Sequence, residues 1–280
     1  ILRRLVHMIH DGLLEEGLHD VMHFLGTSKL EWAVLLTDIQ RAVRKYHNKN
    51  FMITYDCASP FLATANGQIY HSIRIEDRGK WSYMMAPGAD SLKYATDKRK
   101  FSDAVITDNI LDAFEDSPIS KHCKMNDICI YAEGDKNKVG TIKVKAGDVD
   151  LDKEGNPLLD ADGNTTVRKK DSTSWDSFSY ALQMGHNVWM HIESTQRANR
   201  EYDNGKFPYM LINDTDFQKY GVVKFKEIVD EIFSLKDREK SLKLIEDFDR
   251  YWMHVIGTRL NIGKKAVNAQ TKFNELWEYK

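Results

Sequence analysis

The stretch Phe51-Met52-Ile53-Thr54-Tyr55-Asp56-Cys57-Ala58-Ser59-Pro60, continuing Phe61-Leu62-Ala63-Thr64-Ala65-Asn66-Gly67-Gln68-Ile69-Tyr70, decides how the chain is read. Phe51 to Tyr55 is a short apolar, β-branched and aromatic run, the composition of a buried strand. The run stops at a carboxylate. Pro60 and Asn66-Gly67 then impose loop and turn geometry. An acid at the C-terminal end of a strand, with a loop after it, stands where α/β folds place catalytic groups. Position alone also allows a plainer reading, in which Asp56 caps the backbone of a turn ahead of Pro60. Cys57 reads as a small buried residue, because no base stands beside it in the sequence.

Upstream, His19-Asp20-Val21-Met22-His23-Phe24-Leu25-Gly26 has the form of a second strand ending in a glycine turn. Ser28-x-x-Glu31 matches a capping box, with Ser28 at the N-cap. Trp32, Leu35, Leu36, Ile39, Ala42, Val43 and Tyr46 follow at three- and four-residue steps, which gives one apolar helix face. Residues 19 to 70 therefore read strand, turn, helix, strand, loop. That is a βαβ unit, in which parallel strands are joined by a helical crossover.

Asp56-Cys57-x-x-Pro60, then Ala65-Asn66-Gly67 and the aromatic Tyr70, resembles the nucleophile region of the tRNA-guanine transglycosylases. Met22-His23-Phe24-Leu25-Gly26 is similar to that family's strand and glycine turn upstream of the nucleophile. Where the family carries a Thr-Arg pair after the proline, this chain has Phe61-Leu62. The resemblance implies an α/β fold, the C-terminal part of a (β/α)8 TIM-like barrel with an inserted β-rich subdomain and a helical C-terminus. It implies a pentosyltransferase that exchanges guanine for a 7-deazaguanine base in nucleic acid, with Asp56 as nucleophile. Met22, His23, Gly26, Asn66 and Gly67 fall around the substrate, Met22 or His23 packing on the base. Members of this superfamily act on tRNA, and phage and bacterial relatives act on DNA, so both are expected partners.

The same resemblance implies that the strand carrying the family's acid/base aspartate precedes Ile1, or comes from another chain; a partner chain or a homo-oligomer is an expected assembly. The chain opens at Ile1 inside a helix-like run, Ile-Leu-Arg-Arg-Leu-Val-His-Met-Ile-His, which reads as a piece of a longer product. A zinc site is also implied. Its nearest candidates here are His122, Cys123, Cys129 and His186, although no close CxxC pair is present to supply thiolates from one turn. Ordinary packing of two cysteines and a histidine explains the same residues.

Composition bounds these expectations. The chain has 280 residues, 42% hydrophobic and 29% charged, enough for one large domain or two small ones. No run approaches the roughly 20 apolar residues that span a bilayer, so no membrane partner is expected. Three cysteines, an odd number, fit a reducing, cytoplasmic setting better than a disulfide framework. The net charge of −2 lacks the global basic footprint of many nucleic-acid binders. Local basic clusters occur at Arg41-Arg44-Lys45, Lys98-Arg99-Lys100 and Arg168-Lys169-Lys170. Solvated faces or loops account for such clusters more readily than phosphate contacts do.

The remainder divides by pattern into 1–75, late barrel units with the nucleophile strand; 76–172, a β-rich insert with a hairpin arm; and 173–280, a helical region. Ile69 to Ile75 and Trp81 to Met85 are strand-like. The arm, 147 to 170, carries Gly-Asn and Asp-Gly turns. Asp150, Asp152, Glu154 and Gly155 imitate the opening of a calcium loop, but Ala161 replaces its bidentate Glu. A helix is expected from Ser174, capped by Thr173 or Ser174 and closed at Gly185. His186 to Ile192 is ambiguous between strand and helix. Lys224–Leu235 and Glu239–Thr258 show helical periodicity. Two rival functions stand beside base exchange: a non-catalytic accessory subunit that binds nucleic acid or a catalytic chain, and a nucleoside or glycoside hydrolase using Asp56.

Overall fold

The computed structural model describes residues 1–88, 94, 96–128, 156, 157, 159, 163, 177–213 and 223–260. The fold is mixed α/β. Among the described residues the strands form three two-stranded sheets. The chain divides into two compact units: 1–57, 74–82 and 195–280 in the first, and 58–73 and 83–194 in the second.

The first unit opens with α1 (Leu2–His10), followed by β1 (Val21–Phe24), α2 (Leu30–Tyr46) and β2 (Met52–Tyr55). β1 and β2 are parallel, with Val21 opposite Met52, His23 opposite Thr54 and Phe24 opposite Tyr55. The βαβ reading of this segment is therefore correct in order, direction and helix length. The two strands are not buried on both faces, however. Ile53 is buried, while Val21, His23 and Met52 are exposed. The apolar run 51–55 is a half-covered strand, with α2 packed against it.

α2 begins at Leu30 with Lys29 at its N-cap and no side-chain capping bond, so the Ser28 capping box does not form. Glu31 turns inward instead. It is 5% exposed, and its carboxylate accepts the N–H of Trp81 at 3.2 Å. Burial raises the Glu31 carboxyl above its usual range. A tertiary donor in a dry site outweighs a local cap that water can replace.

The core of the first unit is made by α2 against α7 (Phe225–Ser234). Leu30, Ala33, Val34, Leu36, Ile39 and Val43 are buried on one side, and Phe225, Ile228, Val229, Ile232 and Phe233 on the other. Ion pairs and hydrogen bonds border this apolar seam: Lys45 Nζ to Asp230 at 2.9 Å, Tyr46 Oη to Asp230 at 2.8 Å, and His47 Nε2 to the Phe233 carbonyl at 2.7 Å. A short antiparallel pair, β5 (Ile212–Asn213) with β6 (Val223–Lys224), leads into α7. The helical stretch expected over 239–258 is two helices, α8 (Arg238–Asp247) and α9 (Asp249–Leu260), interrupted at Phe248. Asp237 caps α8 by accepting the Lys240 N–H at 3.1 Å.

The second unit contains α3 (Ser59–Ala65), β3 (Gln68–Arg74) for most of its length, β4 (Ser82–Pro87) after its first residue, α4 (Phe101–Asn109) and the single turn α5 (Met125–Ile128). The segment after Asp56, expected as a loop, is thus a short helix. Pro60 sits in its first turn, where the missing N–H has no intrahelical partner to lose. Asn66 ends it, and Gly67 at φ +68° turns the chain into β3. β3 pairs with β4, and the Gly88 N–H reaches the Gly67 carbonyl at 2.6 Å. Ile69, Ala86, Phe101, Ala104, Val105, Met125 and Ile128 form the core cluster. The described part of 76–172 holds one strand, two α-helices and a 3-10 turn, Ser120–His122. The hairpin arm and its calcium-like acids lie almost wholly outside the described residues.

α6 (Ser177–Asp203) is continuous through Gly185, where a helix end was expected, and through the ambiguous 186–192. The reason is tertiary. A Cβ at Gly185 would meet Ile119 Cδ1 at 2.6 Å, so the glycine serves close packing within the helix. No helix among the described residues is long and apolar enough to cross a membrane.

Candidate functional site

The site is built on the C-terminal ends of β1 and β2. β2 ends at Tyr55, so Asp56 is the first residue past the strand. Its backbone stays in the ladder: Asp56 N–H faces the Phe24 carbonyl at 3.4 Å, and its own carbonyl accepts the Thr27 N–H at 2.9 Å. Gly26, at φ +75°, makes the turn after β1 that brings Thr27 across. The two strand ends are therefore tied together at the residue that carries the acid.

Side chains alternate along a strand, so Val21 and His23 share one face of β1, and Met22 and Phe24 the other. On β2, Met52 and Thr54 lie on the His23 face, and Asp56 follows them. The contacts agree. His23 Nδ1 is 2.9 Å from Thr54 Oγ1, and His23 Nε2 is 3.8 Å from Asp56 Oδ2. The Asp56 side chain is 62% exposed and that of His23 45%. Among the described residues the Asp56 carboxylate accepts no hydrogen bond. It is open to an incoming ligand, with an imidazole beside it.

Of the residues expected around the substrate, the structure thus groups Asp56, His23 and Gly26. Met22 lies on the opposite face of β1, opposite Ile53 in the ladder, so it does not share the carboxylate's side. Asn66 and Gly67 belong to the second unit, where they close α3. Thr54 is the member that sequence reasoning missed. The signal was available, since period-two alternation puts residues 54 and 56 on one face.

The expected metal ligands fall in the second unit or outside the described residues. Cys129 is outside. His122 lies in a short 3-10 turn, Ser120–His122. The Cys123 thiol donates to the Ile119 carbonyl at 3.0 Å, and burial raises its pKa. His186 is 1% exposed, its ring stacked on Phe114 at 5.1 Å. Its Nε2–H donates to the Tyr70 carbonyl at 2.7 Å, and its Nδ1 has no hydrogen-bond partner among the described residues. Desolvation lowers its pKa, which keeps the ring neutral. Among the described residues no three His, Cys, Asp or Glu side chains gather as a metal set.

Next to His186, Asn187 is fully buried. Its Oδ1 accepts the Tyr70 N–H at 2.8 Å, and its Nδ2 reaches Thr64 Oγ1 at 2.8 Å, the Gln68 carbonyl at 3.1 Å and the Pro60 carbonyl at 3.4 Å. His186 and Asn187 together lock α3, its turn and β3. Their chemistry here is backbone satisfaction.

In the two described basic clusters, four cations are paired with acids. Arg41 forms a two-pronged pair with Asp203 at 2.6 and 2.8 Å, and Lys45 pairs with Asp230. Arg99 bridges Asp97 and Asp108, and Lys100 pairs with Asp116. The third cluster, 168–170, lies outside the described residues. No family model, curated protein or solved structure matches this chain.

Proposed function

We propose that this chain is a transglycosylase of the tRNA-guanine transglycosylase type, exchanging guanine for a 7-deazaguanine base in DNA or tRNA through Asp56. The observation that carries the reading is the placement of Asp56: past the end of a parallel strand, exposed, and facing the same side as His23. A carboxylate so placed can reach a sugar from solvent and stabilise the positive charge that develops as a glycosidic bond breaks. The motif around it supplies the base-exchange chemistry over plain hydrolysis. In this reading β1–α2–β2 is a pair of consecutive strand–helix units of a (β/α)8 TIM-like barrel. The exposed face of β1 and β2 supports that view, since parallel strands are normally covered on both sides.

Base exchange asks little of a metal. Were a zinc ion held by His122, Cys123, Cys129 and His186, its role would be structural; among the described residues His186 Nδ1 is buried without a hydrogen bond.

The test is incorporation of radiolabelled guanine or 7-deazaguanine into DNA and tRNA in parallel. Incorporation by the wild type that is lost in Asp56→Ala is expected. Incorporation that survives this substitution overturns the nucleophile. Release of base without incorporation favours the hydrolase reading. The accessory-subunit reading has one supporting observation, the openness of the carboxylate, and predicts incorporation only when a second, catalytic chain is added.

A further inference from the structure

The groove between α2 and α7, in the first unit, is a cavity that the chemistry at Asp56 does not use. Its volume is about 450 Å³, within the roughly 300–1,000 Å³ of small-molecule sites. Asp38, Arg41 and Lys45 line it from α2, and Lys226, Glu227 and Asp230 from α7. Most of these charges have partners. Arg41 is engaged by Asp203 and Lys45 by Asp230, and Glu227 lies 3.9 Å from Lys224. Asp38 and Lys226 differ. Asp38 is 6% exposed, and the Tyr202 hydroxyl donates to its Oδ2 at 2.6 Å. Among the described residues its Oδ1 has no hydrogen bond. Lys226 forms no ion pair among the described residues, and its Nζ lies over the rings of Phe207 at 5.2 Å and Tyr202 at 5.9 Å. Tyr202 thus meets the carboxylate with its hydroxyl and the ammonium with its ring, which sets an open acceptor and an open donor side by side.

We infer that this groove is a second binding site, for a free base with guanine's hydrogen-bonding edge, held by Asp38 and Lys226. The choice of base rests on the transglycosylase reading of Asp56, whose departing guanine and incoming 7-deazaguanine share that edge. Guanine presents N2–H and N1–H as donors, with O6 as an acceptor next to them. A carboxylate has about four lone-pair sites, and Tyr202 takes one. Asp38 accepts the two N–H groups, and Lys226 donates to O6. 7-Deazaguanine keeps all three atoms, because its change is at position 7. Adenine has a lone pair at N1 where guanine has a proton, so it sets an acceptor against the carboxylate. A buried polar group discriminates most strongly when the wrong ligand leaves it unpaired. No covalent bond changes in the groove, and the sugar chemistry stays at Asp56.

The experiment titrates the full chain with 7-deazaguanine, guanine, hypoxanthine and adenine at pH 8, above the value of about 6 to which burial raises Asp38. Alanine-labelled protein makes the Ala42 methyl, which lines the groove, the local reporter. Saturable shifts of Ala42 with 7-deazaguanine and guanine are expected. Hypoxanthine lacks the N2 donor and should bind about 10-fold more weakly, and adenine at least about 100-fold more weakly. Lys226→Met and Asp38→Asn should each weaken 7-deazaguanine binding by about 10-fold or more. Lys226 is exposed, so its substitution keeps the test clear should Asp38→Asn unfold. Asp56→Ala should leave this binding within about 2-fold of wild type. Equal binding of adenine and 7-deazaguanine, an unmoved Ala42, or binding that Lys226→Met leaves unchanged overturns the groove and leaves Asp56 standing. Selective binding at Ala42 with no labelled base ever entering DNA or tRNA supports the groove and removes the transglycosylase reading.

Discussion

Asp56 and Asn187 are both polar residues beside a strand, and the fold treats them in opposite ways. Asn187 is fully buried and holds the Tyr70 N–H, Thr64 Oγ1 and the Pro60 and Gln68 carbonyls. Asp56 is mostly exposed, with His23 Nε2 at 3.8 Å from its carboxylate. A buried polar group must be satisfied or it costs stability, so its bonds are spent on the fold. An exposed carboxylate hydrated by water carries no such obligation and keeps its capacity for a ligand. The comparison separates polar residues that hold the structure from those available for chemistry.

The largest effect that tests this contrast is on activity. Asp56→Ala is expected to lower base exchange by about 10³-fold or more while leaving unfolding free energy within about 0.5 kcal/mol of wild type. A large loss of stability in that variant would mean that Asp56 belongs with Asn187.

Asn187→Ala should do the reverse. It strands several buried donors and acceptors, and a destabilisation of about 3 kcal/mol is expected in urea unfolding. A loss under about 1 kcal/mol would show that water replaces the side chain and that the site is wetter than its burial implies.

Asp38, in the first unit, is an intermediate case. It is 6% exposed and accepts the Tyr202 hydroxyl at 2.6 Å, yet burial pushes its pKa up to about 6. A carboxyl whose folded value is raised binds a proton more tightly in the native state. Its stabilising contribution is full below the unfolded value and is lost as pH rises through about 6. Wild type should therefore gain stability relative to Asp38→Asn as pH falls from 8 to 5, by about 1.4 kcal/mol. Paired chemical denaturation at the two pH values measures this, and a difference that does not move with pH would remove Asp38 as a buried acid.

The smallest effect concerns helix caps. Asp237→Ala should cost about 1 kcal/mol, because its carboxylate caps α8. Ser28→Ala should cost under about 0.5 kcal/mol, because α2 carries no side-chain cap. Thermal unfolding of the two variants, compared side by side, checks the pair.

Much of the first unit was legible from residue order. The 51–55 run, the face from Trp32 to Tyr46 and the carboxylate at position 56 specified β1–α2–β2 and a strand-end acid, because period and length are local properties of the chain. Local signals misled where a distant group competed for the same atom. Glu31 matched a capping box but serves the Trp81 N–H. Gly185 looked like a helix end, but Ile119 occupies the space a Cβ would need. Pro60 read as a loop former and instead starts a helix.

The candidate site divides along the same line. The nucleophile candidate and the turn glycine were readable from residue order, since both belong to one continuous motif. Folding settled that His23, and not Met22, shares the face of Asp56, and that Thr54 meets the ring. Strand register sets those neighbours, and a one-residue change in register would exchange the two faces. Register is fixed by packing and by ladder bonds between residues about thirty apart, which no local pattern encodes.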